Sequence, residues 1–369
     1  MNIQRLCVDL GNGGFKGAGV RVLPAQDGQV ETPELFTAFL PSKVGVGSIS
    51  MGALTLGGFE KRARGEDALR PIQIVSDEGA YLVGHNVERY TTLLERFDPS
   101  KYTDSPELRA VTRALLAQMV DGGSNDVALI VALPVDVLMS PNAKETIKSI
   151  EAWLLGEHRF TYDGKEARVH VHAIKVMAQP VGAFFSWGLD LRGEWVRDEE
   201  DLTEASVAVL DSGFNTLDLL LVKQGRIEKR YTGGDNLGVR VAAQEIANAL
   251  KARYGIAKSL IEVDAFIRQY VEKGKAHLIL AGEKVDLKPI IRQALNSLAT
   301  RTVDFVQDTW GNAREFSYVL LAGGGALALD APIRRHIPHA TMLPDPVHAN
   351  AIGLAKLAQR ASTFKGLPA

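Results

Sequence analysis

Two aspartates, each followed by a glycine-containing turn, are the residues of this sequence best suited to chemistry. Asp9 ends an apolar segment and precedes a turn at residues 11–14, and Asp211 ends another and precedes a turn at residues 213–216. Glycine lets backbone N–H groups approach phosphate oxygens, because no Cβ blocks the way. Phosphate repels an aspartate, but an aspartate can hold a hydrated Mg2+ ion that bridges phosphates. The two turns therefore predict a site for a Mg2+–nucleotide.

The two segments also match at a later position. Lys16 follows Asp9 by seven residues, and Asp218 follows Asp211 by seven residues. Each segment has the pattern of a strand, a turn and a second strand with helices after it, so the repeat predicts two similar α/β domains that face one another. Taken singly, each aspartate could be a turn residue and Lys16 a solvated strand residue. The repeat favours a clamp in which Lys16 neutralises a phosphate charge.

A third glycine turn, Gly323-Gly324-Gly325, follows a predicted buried strand. It could let the base or sugar of a nucleotide lie against the backbone. Gly323, Gly325 and Ala328 also fit the G-x-G-x-x-A pattern of dinucleotide-binding Rossmann domains, with Asp345 about twenty residues further on. No clear βαβ unit surrounds this turn, so the Rossmann interpretation is the weaker one.

Histidines supply the other possible metal ligands. His170 and His172 alternate along one predicted strand, whereas His336, His339 and His348 surround prolines near the end of the sequence. We expect neither group to be a metal site.

Hydrophobic periodicity and helix-end signals predict the elements that position these residues. Ser105-Pro106-Glu107 combines an N-cap, a proline at the first helical position and an acid in the first turn, which predicts a helix start. Residues 24–104 are predicted to be a small α+β insertion, and the acidic residues 192–204 a solvated loop. Strands are predicted at 6–10, 15–22, 127–133, 174–178, 207–211, 216–222, 226–232 and 318–322, and helices at about 239–253, 264–273, 289–310 and 349–359.

The composition excludes several classes of protein. The chain has 369 residues, of which 46% are hydrophobic, enough for about two domains with a large core. The chain has 42 Lys and Arg residues and 44 Asp and Glu residues. It therefore lacks the cationic excess that direct nucleic-acid binding needs. The single cysteine, Cys7, excludes an internal disulfide framework, and no apolar stretch approaches the ~18 residues of a membrane span. We expect a cytoplasmic protein that binds neither nucleic acid nor membrane directly.

Five motifs in order resemble those of the actin/DnaK/sugar-kinase ATPase superfamily. They are a first phosphate motif at 9–16, a first connecting motif at 177–183, a second phosphate motif at 211–218, an adenosine motif at 321–326 and a second connecting motif at 349–353. Within the superfamily, the chain most resembles the ParM/StbA group of bacterial actin-like plasmid-segregation proteins. That resemblance rests on residues 40–42, 81–84, 131–135 and 233–238.

The resemblance implies an α/β, actin-like fold. Two similar α/β domains, each with a smaller inserted subdomain, would enclose a nucleotide cleft. Domain I would comprise residues 1–178 and 345–369, with its inserted subdomain at about 23–104. Domain II would comprise residues 179–344, with its inserted subdomain at about 245–288.

The resemblance also implies roles for single residues. ATP, with GTP possible, would bind with Mg2+, and water would attack its γ-phosphoryl group. Gln179 would orient that water, Asp211 would accept its proton, and Asp9 and Asp211 would hold the water shell of the metal. Lys16 would meet the β and γ oxygens. The implied nucleotide- and phosphate-binding residues are Gly11, Asn12, Gly13, Gly14, Lys16, Gly213, Phe214, Asn215, Thr216, Gly323, Gly324 and Gly325.

The sequence departs from many relatives in both phosphate turns. Asn12-Gly13-Gly14 and Phe214-Asn215 replace small or hydroxyl-bearing residues, although Thr216 remains. Phosphate contact would therefore depend more on backbone N–H groups.

The predicted function is an actin-like ATPase that polymerises with itself into filaments. Through a DNA-binding adaptor protein it would segregate plasmid or other DNA. Two alternatives stay open: a small-molecule kinase of the same superfamily, for which no acceptor motif is apparent, and a non-polymerising nucleotide-dependent switch.

Overall fold

The computed structural model describes residues 3–11, 13–23, 32–48, 69–94, 105–120 and 124–364. The strands in these residues are β1 (Gln4–Asp9), β2 (Phe15–Leu23), β3 (Thr32–Leu40), β4 (Val44–Val46), β5 (Ile72–Ser76), β6 (Gly79–Val83), β7 (Ser124–Leu133), β8 (Gly156–Tyr162), β9 (Lys165–Ala178), β10 (Ser206–Ser212), β11 (Leu217–Lys223), β12 (Arg226–Ile227), β13 (Gly233–Asp235), β14 (His277–Leu280), β15 (Glu283–Asp286), β16 (Tyr318–Ala322) and β17 (Ala340–Met342).

Helices cover the faces of the sheets that these strands form. They are α1 (Pro106–Met119), α2 (Val135–Met139), α3 (Ala143–Leu154), α4 (Gln179–Gly188), α5 (Glu199–Thr203), α6 (Val239–Tyr254), α7 (Leu260–Lys273), α8 (Lys288–Trp310), α9 (Ala326–His336) and α10 (Ala349–Ala358).

The described strands form two large sheets and one small hairpin. The first sheet has the order β3-β2-β1-β7-β9-β8-β5-β6-β4, and the second has the order β12-β11-β10-β16-β17, with β13 also paired to β11. We call the part of the molecule built on each sheet the first lobe and the second lobe. The fold is α/β, as predicted.

The internal repeat is confirmed in the strand pairing. β1 pairs antiparallel with β2 and parallel with β7, and β10 pairs antiparallel with β11 and parallel with β16. The register is also the same, because Asp9 lies opposite Lys16 and Asp211 lies opposite Asp218. Each hairpin therefore carries an aspartate at or next to the carboxyl end of its first strand.

The central strands are buried because helices cover both of their faces. Every residue of β10 is buried, and Cys7 in β1 is fully buried among alanine and leucine side chains. That burial raises the pKa of the Cys7 thiol, which packs as a small apolar group, as predicted. One apolar core lies between the first sheet and α1, and another between the second sheet and α6 and α8.

Two helices cross between the lobes. α10 packs on β1 and α4 packs on β10, and the two helices also pack on each other. At the crossing, Gly182 of α4 lies against the backbone of Asn350, and Gly353 of α10 lies against the backbone of Gly182. A Cβ at either glycine would collide with the partner helix. The small residues of the two connecting motifs therefore permit this close crossing.

The predicted helix starts are largely confirmed. The Ser105 hydroxyl accepts the N–H of Leu108 at 3.5 Å and caps α1. α7 begins at Leu260, four residues before the predicted start, because Ser259 and Glu262 form a capping box. In that box the Ser259 N–H donates to the Glu262 carboxylate at 2.9 Å.

Three segments differ from the predictions. The predicted strand at 226–232 is shortened to β12, and a 3-10 turn follows at Lys229–Tyr231. The Tyr231 carbonyl accepts the Trp310 indole N–H at 2.8 Å, so this carbonyl bonds to a side chain of α8. The predicted loop at 192–204 contains α5. Within the insertion at 24–104, β3 pairs with β2 along nine residues and thereby extends the first sheet.

No helix in the described part of the chain has the length and apolar composition that crossing a membrane requires.

Candidate functional site

The aspartate ends of the two hairpins open into one cleft between the lobes. Every predicted site residue that the structure describes lines this cleft; Asn12 lies outside the described residues. The lining residues among the predictions are Asp9, Gly11, Gly13, Gly14, Lys16, Gln179, Asp211, Gly213, Phe214, Asn215, Thr216, Gly323, Gly324 and Gly325. The structure therefore brings together residues that lie more than 300 positions apart in the sequence.

Asp9 is held on both of its carboxylate oxygens. Its side chain is 1% exposed at the end of β1. The Lys16 ammonium lies 3.3 Å from Oδ2, and the Gln179 amide Nε2 donates to Oδ1 at 2.6 Å. Gln179 is the first residue of α4, so a connecting helix delivers this amide to the first hairpin. Lys16 thus forms an ion pair with a buried carboxylate.

Asp211, on the second sheet, has a corresponding partner. The Asn350 amide Nδ2 donates to Oδ2 of Asp211 at 2.6 Å. Burial raises the pKa of Asp211 to about 6, and the nearby charge of Asp9 adds to that rise. The hydrogen bond from Asn350 and the charge of Lys16 act in the opposite direction. A carboxylate whose pKa lies near neutrality can accept a proton from a reacting group.

Asp218 connects the second hairpin to the first lobe. Its Oδ2 accepts the Thr216 hydroxyl at 2.9 Å, and its Oδ1 accepts the backbone N–H of Val135 at 3.0 Å. Val135 is the first residue of α2, which directly follows β7 of the first sheet. Burial, and next the charge of Asp211, raise the pKa of Asp218 well above its ordinary value. The sequence pattern identified Asp218 only as the counterpart of Lys16.

The two phosphate-type turns meet at the base of the cleft. In the first turn, Gly14 N–H donates to the Gly11 carbonyl at 3.3 Å, and in the second, Gly213 N–H donates to the Thr216 carbonyl at 2.9 Å. Gly13 lies directly against Phe214, because a Cβ at Gly13 would lie 2.6 Å from the Phe214 Cβ. The phenyl ring that replaces a small residue in the second turn therefore packs on the first turn.

The third glycine turn packs against the strand that carries Asp211. Gly323 has a φ of +83°, and a Cβ there would collide with the Ser212 carbonyl and the Asp211 carboxylate. The Gly325 N–H donates to the Ser212 carbonyl at 2.8 Å. A Cβ built on Gly324 would meet nothing within 4 Å, so this backbone leaves open space beside it. The turn fits a flat group of a ligand lying against the backbone.

Helix α7 forms a cleft wall that the sequence patterns did not identify. Its lining residues are Asp264, Ile267, Arg268, Val271 and Glu272. The Arg268 guanidinium lies 5.7 Å from the centre of the Phe39 ring, which belongs to β3 in the other lobe. The spacing of these residues on one helical face was the only available signal.

The histidines considered as metal ligands do not belong to the described residues that line the cleft. The His172 ring lies 2.6 Å from the Asp126 carboxylate, and the His348 ring lies 2.9 Å from the Asp345 carboxylate. Within the described residues, no three His, Cys, Asp or Glu side chains are grouped closely enough to hold a metal ion by themselves.

Two family models match most of the chain. Residues 7–182 match the model described as the N-terminal domain of actin-like proteins. Residues 209–335 match the model described as the archaeal actin homologue, MreB-like, C-terminal. No curated protein matches the chain in sequence.

Solved structures share the fold over almost the whole chain. A 15-stranded ParM filament from Clostridium botulinum is 19% identical, with a TM-score of 0.75, over 97% of this chain and 99% of that chain. An archaeal actin homologue in complex with ADP is 15% identical, with a TM-score of 0.68, over 97% and 100%. Bacillus thuringiensis ParM with AMPPNP is 14% identical, with a TM-score of 0.64, over 96% and 98%. At these identities the likeness establishes the fold alone, which is the predicted actin-like fold.

Proposed function

This chain belongs to the actin-like proteins, and on that basis we propose that it is an ATPase that binds Mg-ATP between its lobes and polymerises. One observation carries the proposal. Two hairpins in equivalent register present buried carboxylates, Asp9 and Asp211, to one cleft, and each carboxylate is fixed by an amide from a connecting helix. A site of this kind is suited to a substrate that carries both phosphates and a divalent cation.

The chain's own groups account for substrate binding. Backbone N–H groups of the turns at 11–14 and 213–216 would hold the phosphates, since glycine permits close approach. Lys16 would neutralise charge on the β and γ oxygens, and it already lies inside the cleft beside Asp9. The Gly323–Gly325 turn and the wall of α7 would hold the nucleoside, with ATP as the preferred nucleotide and GTP as a possible one.

Mg2+ fits the donors that the cleft contains. Asp9 and Asp211 supply hard carboxylate oxygens, which Mg2+ prefers, and Mg2+ usually keeps several waters while binding one or two carboxylates and substrate phosphates. We propose that these two residues hold the cation through water. When bound, the cation would neutralise charge on the transferring phosphoryl group.

Hydrolysis would then depend on positioning. A water would attack the γ-phosphorus, the bond to the β–γ bridging oxygen would break, and ADP would leave. Gln179 would orient that water, because its amide has no useful pKa and cannot act as a base. Asp211 would take up the proton, since its pKa of about 6 allows a proton to be held near neutral pH.

Polymerisation and DNA segregation are the finer parts of the proposal. A head-to-tail contact that does not close into a ring produces a filament. The similar ParM from Clostridium botulinum is a filament, which supports self-assembly of this chain. We propose that a DNA-binding adaptor joins the filament to plasmid or other DNA, because the balance of 42 cationic against 44 acidic residues gives no basis for direct DNA binding.

We also propose that the chain divides into two domains at the boundaries that the sequence resemblance implies. Domain I would contain residues 1–178 and 345–369, and the packing of α10 on β1 supports the inclusion of the later segment. Domain II would contain residues 179–344. The inserted subdomains would lie at about 23–104 and about 245–288.

High-speed sedimentation tests the proposal when phosphate release is followed in the same tubes. The protein is incubated with Mg-ATP, with Mg-ADP or without nucleotide over a range of protein concentrations. We expect pelleting only with Mg-ATP, and hydrolysis that rises above a threshold protein concentration. Hydrolysis without pelleting at any concentration would refute the filament and leave a kinase or a nucleotide switch.

A further inference from the structure

Asn350 stands in the same relation to Asp211 as Gln179 does to Asp9. Each amide lies in the first turn of a connecting helix, α10 or α4. Each donates to one carboxylate oxygen at 2.6 Å, Gln179 to Asp9 and Asn350 to Asp211. The sequence motifs single out Gln179, but no role was predicted for Asn350. The two amides therefore make equivalent hydrogen bonds to the two aspartates of the cleft.

The carbonyl end of the Asn350 side chain has no partner. Asn350 is 6% exposed and lines the cleft, and its Oδ1 atom is buried without a hydrogen bond. Leaving a buried acceptor unpaired destabilises the folded chain. Because Nδ2 already donates to Asp211, the free end of this amide is an acceptor beside the reacting carboxylate. A donor that arrives with the substrate would reach this buried atom only after the side chain shifts.

The position of Asn350 is fixed without this side chain. Gly182 of α4 packs directly on the Asn350 backbone, so the helix crossing sets where the residue lies. The second oxygen of Asp211, Oδ1, lies beside Gly323, where a Cβ would leave it no room. The carboxylate is therefore held by Asn350 on one oxygen and bordered by a glycine turn on the other. Loss of the amide would free the carboxylate while the helix contact remained.

We propose that Asn350 is a positioning residue for phosphoryl transfer to water. Its Nδ2 fixes the Asp211 carboxylate, and its Oδ1 accepts a hydrogen bond from a substrate water once nucleotide binding shifts the side chain and opens this atom to the cleft. The two amides then act on opposite sides of the cleft, Gln179 beside Asp9 and Asn350 beside Asp211. This inference rests on the proposed ATPase function.

Two variants separate positioning from packing. Asn350→Leu removes the donor and the acceptor at similar volume. Asn350→Ala removes the same donor and acceptor without adding a charge beside Asp211, and it keeps the backbone contact with Gly182. Thr302→Val is the matched control, because Thr302 is 0% exposed, its hydroxyl also lacks a partner, and it belongs to α8 outside the cleft lining.

The first measurement is the affinity for Mg-ADP and for Mg-ADP with aluminium fluoride, which mimics the transition state. A residue that acts in the transition state contributes to the second affinity and not to the first. For Asn350→Leu and Asn350→Ala we expect the affinity for the aluminium fluoride complex to fall by about tenfold or more, as expected from one lost hydrogen bond, and the affinity for Mg-ADP to change by less than about twofold. Thr302→Val should match the wild type in both.

The second measurement is phosphate release, in which kcat should fall by about tenfold or more in both Asn350 variants while KM stays within about twofold. Unchanged affinity for the aluminium fluoride complex and unchanged kcat in either folded variant would overturn the proposal. If Asn350→Leu does not fold, the smaller Asn350→Ala decides the question. A wild type that neither binds nor hydrolyses Mg-ATP would instead refute the ATPase function, and this inference with it.

Discussion

The backbone N–H of Val135 donates to the Asp218 carboxylate at 3.0 Å, and this bond joins the two lobes. Val135 begins α2 at the end of β7, and Asp218 lies on β11 in the hairpin that carries Asp211. Both residues are buried, at 3% and 1% exposure. A movement that opened the cleft at this point would leave a buried carboxylate and a backbone N–H without partners. The bond therefore favours the closed arrangement of the lobes.

Removing that carboxylate should expose the start of α2. A hydrogen bond of this kind contributes about 1–3 kcal/mol, so Asp218→Ala should speed amide exchange in residues 135–139 by about tenfold. Asp218→Asn keeps an acceptor oxygen for Val135 and should exchange like the wild type. Hydrogen exchange followed by mass spectrometry measures this. Equal protection in the alanine variant and the wild type would show that the bond does not hold the lobes together.

The glycine turn behind Asp211 gives a second prediction. Gly323→Ala should abolish nucleotide binding, because the new Cβ would meet both the Ser212 carbonyl and the Asp211 carboxylate at a φ of +83°. Gly225→Ala is the control, since Gly225 has a φ of +68° in open space between β11 and β12. The left-handed backbone conformation should cost this variant about 1–2 kcal/mol of stability, and the variant should bind nucleotide normally. Fluorescence titration with a labelled ATP analogue measures both, and normal binding by Gly323→Ala would refute the placement of this turn.

The buried His158 predicts a pH dependence of stability. Its Nε2 lies 2.7 Å from the Leu154 carbonyl, and burial is the main cause that lowers the pKa of His158 from its ordinary 6.5. Below about pH 6.5 the unfolded chain binds a proton that the folded chain resists, so stability falls as the pH falls. His158→Gln keeps a donor for Leu154 but does not titrate.

Urea unfolding at pH 7.5, 6.5 and 5.5 tests this pH dependence. The wild type should lose more stability than His158→Gln between the upper and lower pH values. Substitution of the exposed His339 by Gln is the control and should follow the wild type. Parallel curves for His158→Gln and the wild type would contradict the assignment.

The sequence was sufficient to predict the hairpins of the site. Asp9 and Asp211 could be found because each ends an apolar run before a glycine turn, and such local patterns determine both the strand and its turn. The equivalence of Lys16 and Asp218 also followed from spacing alone, and the strand pairing confirms it. The local sequence was therefore sufficient for the parts of the site that form within a single hairpin.

The remaining residues of the site depend on tertiary packing. Asn350 reaches Asp211 only because α10 crosses α4 at two glycines, and Asp218 reaches Val135 only because the lobes meet. The α7 wall faces the cleft because the second core orients that helix. The role of Phe214 likewise depends on the turn opposite, where Gly13 leaves room for its ring. No pattern within one segment encodes such contacts.

The rate of ATP hydrolysis by Asp211→Ala is the most direct test of the proposal that Asp211 takes up the proton of the attacking water. Excess protein is mixed with a limiting amount of radiolabelled Mg-ATP, and phosphate release is followed in a single turnover for the wild type, Asp211→Ala and Asp330→Ala, an aspartate paired with Arg334 on α9 as the control. We expect Asp330→Ala to hydrolyse Mg-ATP like the wild type and Asp211→Ala to be slower by about 100-fold or more, the usual effect of removing a general base. A wild-type rate in Asp211→Ala would contradict the proposed reaction centre.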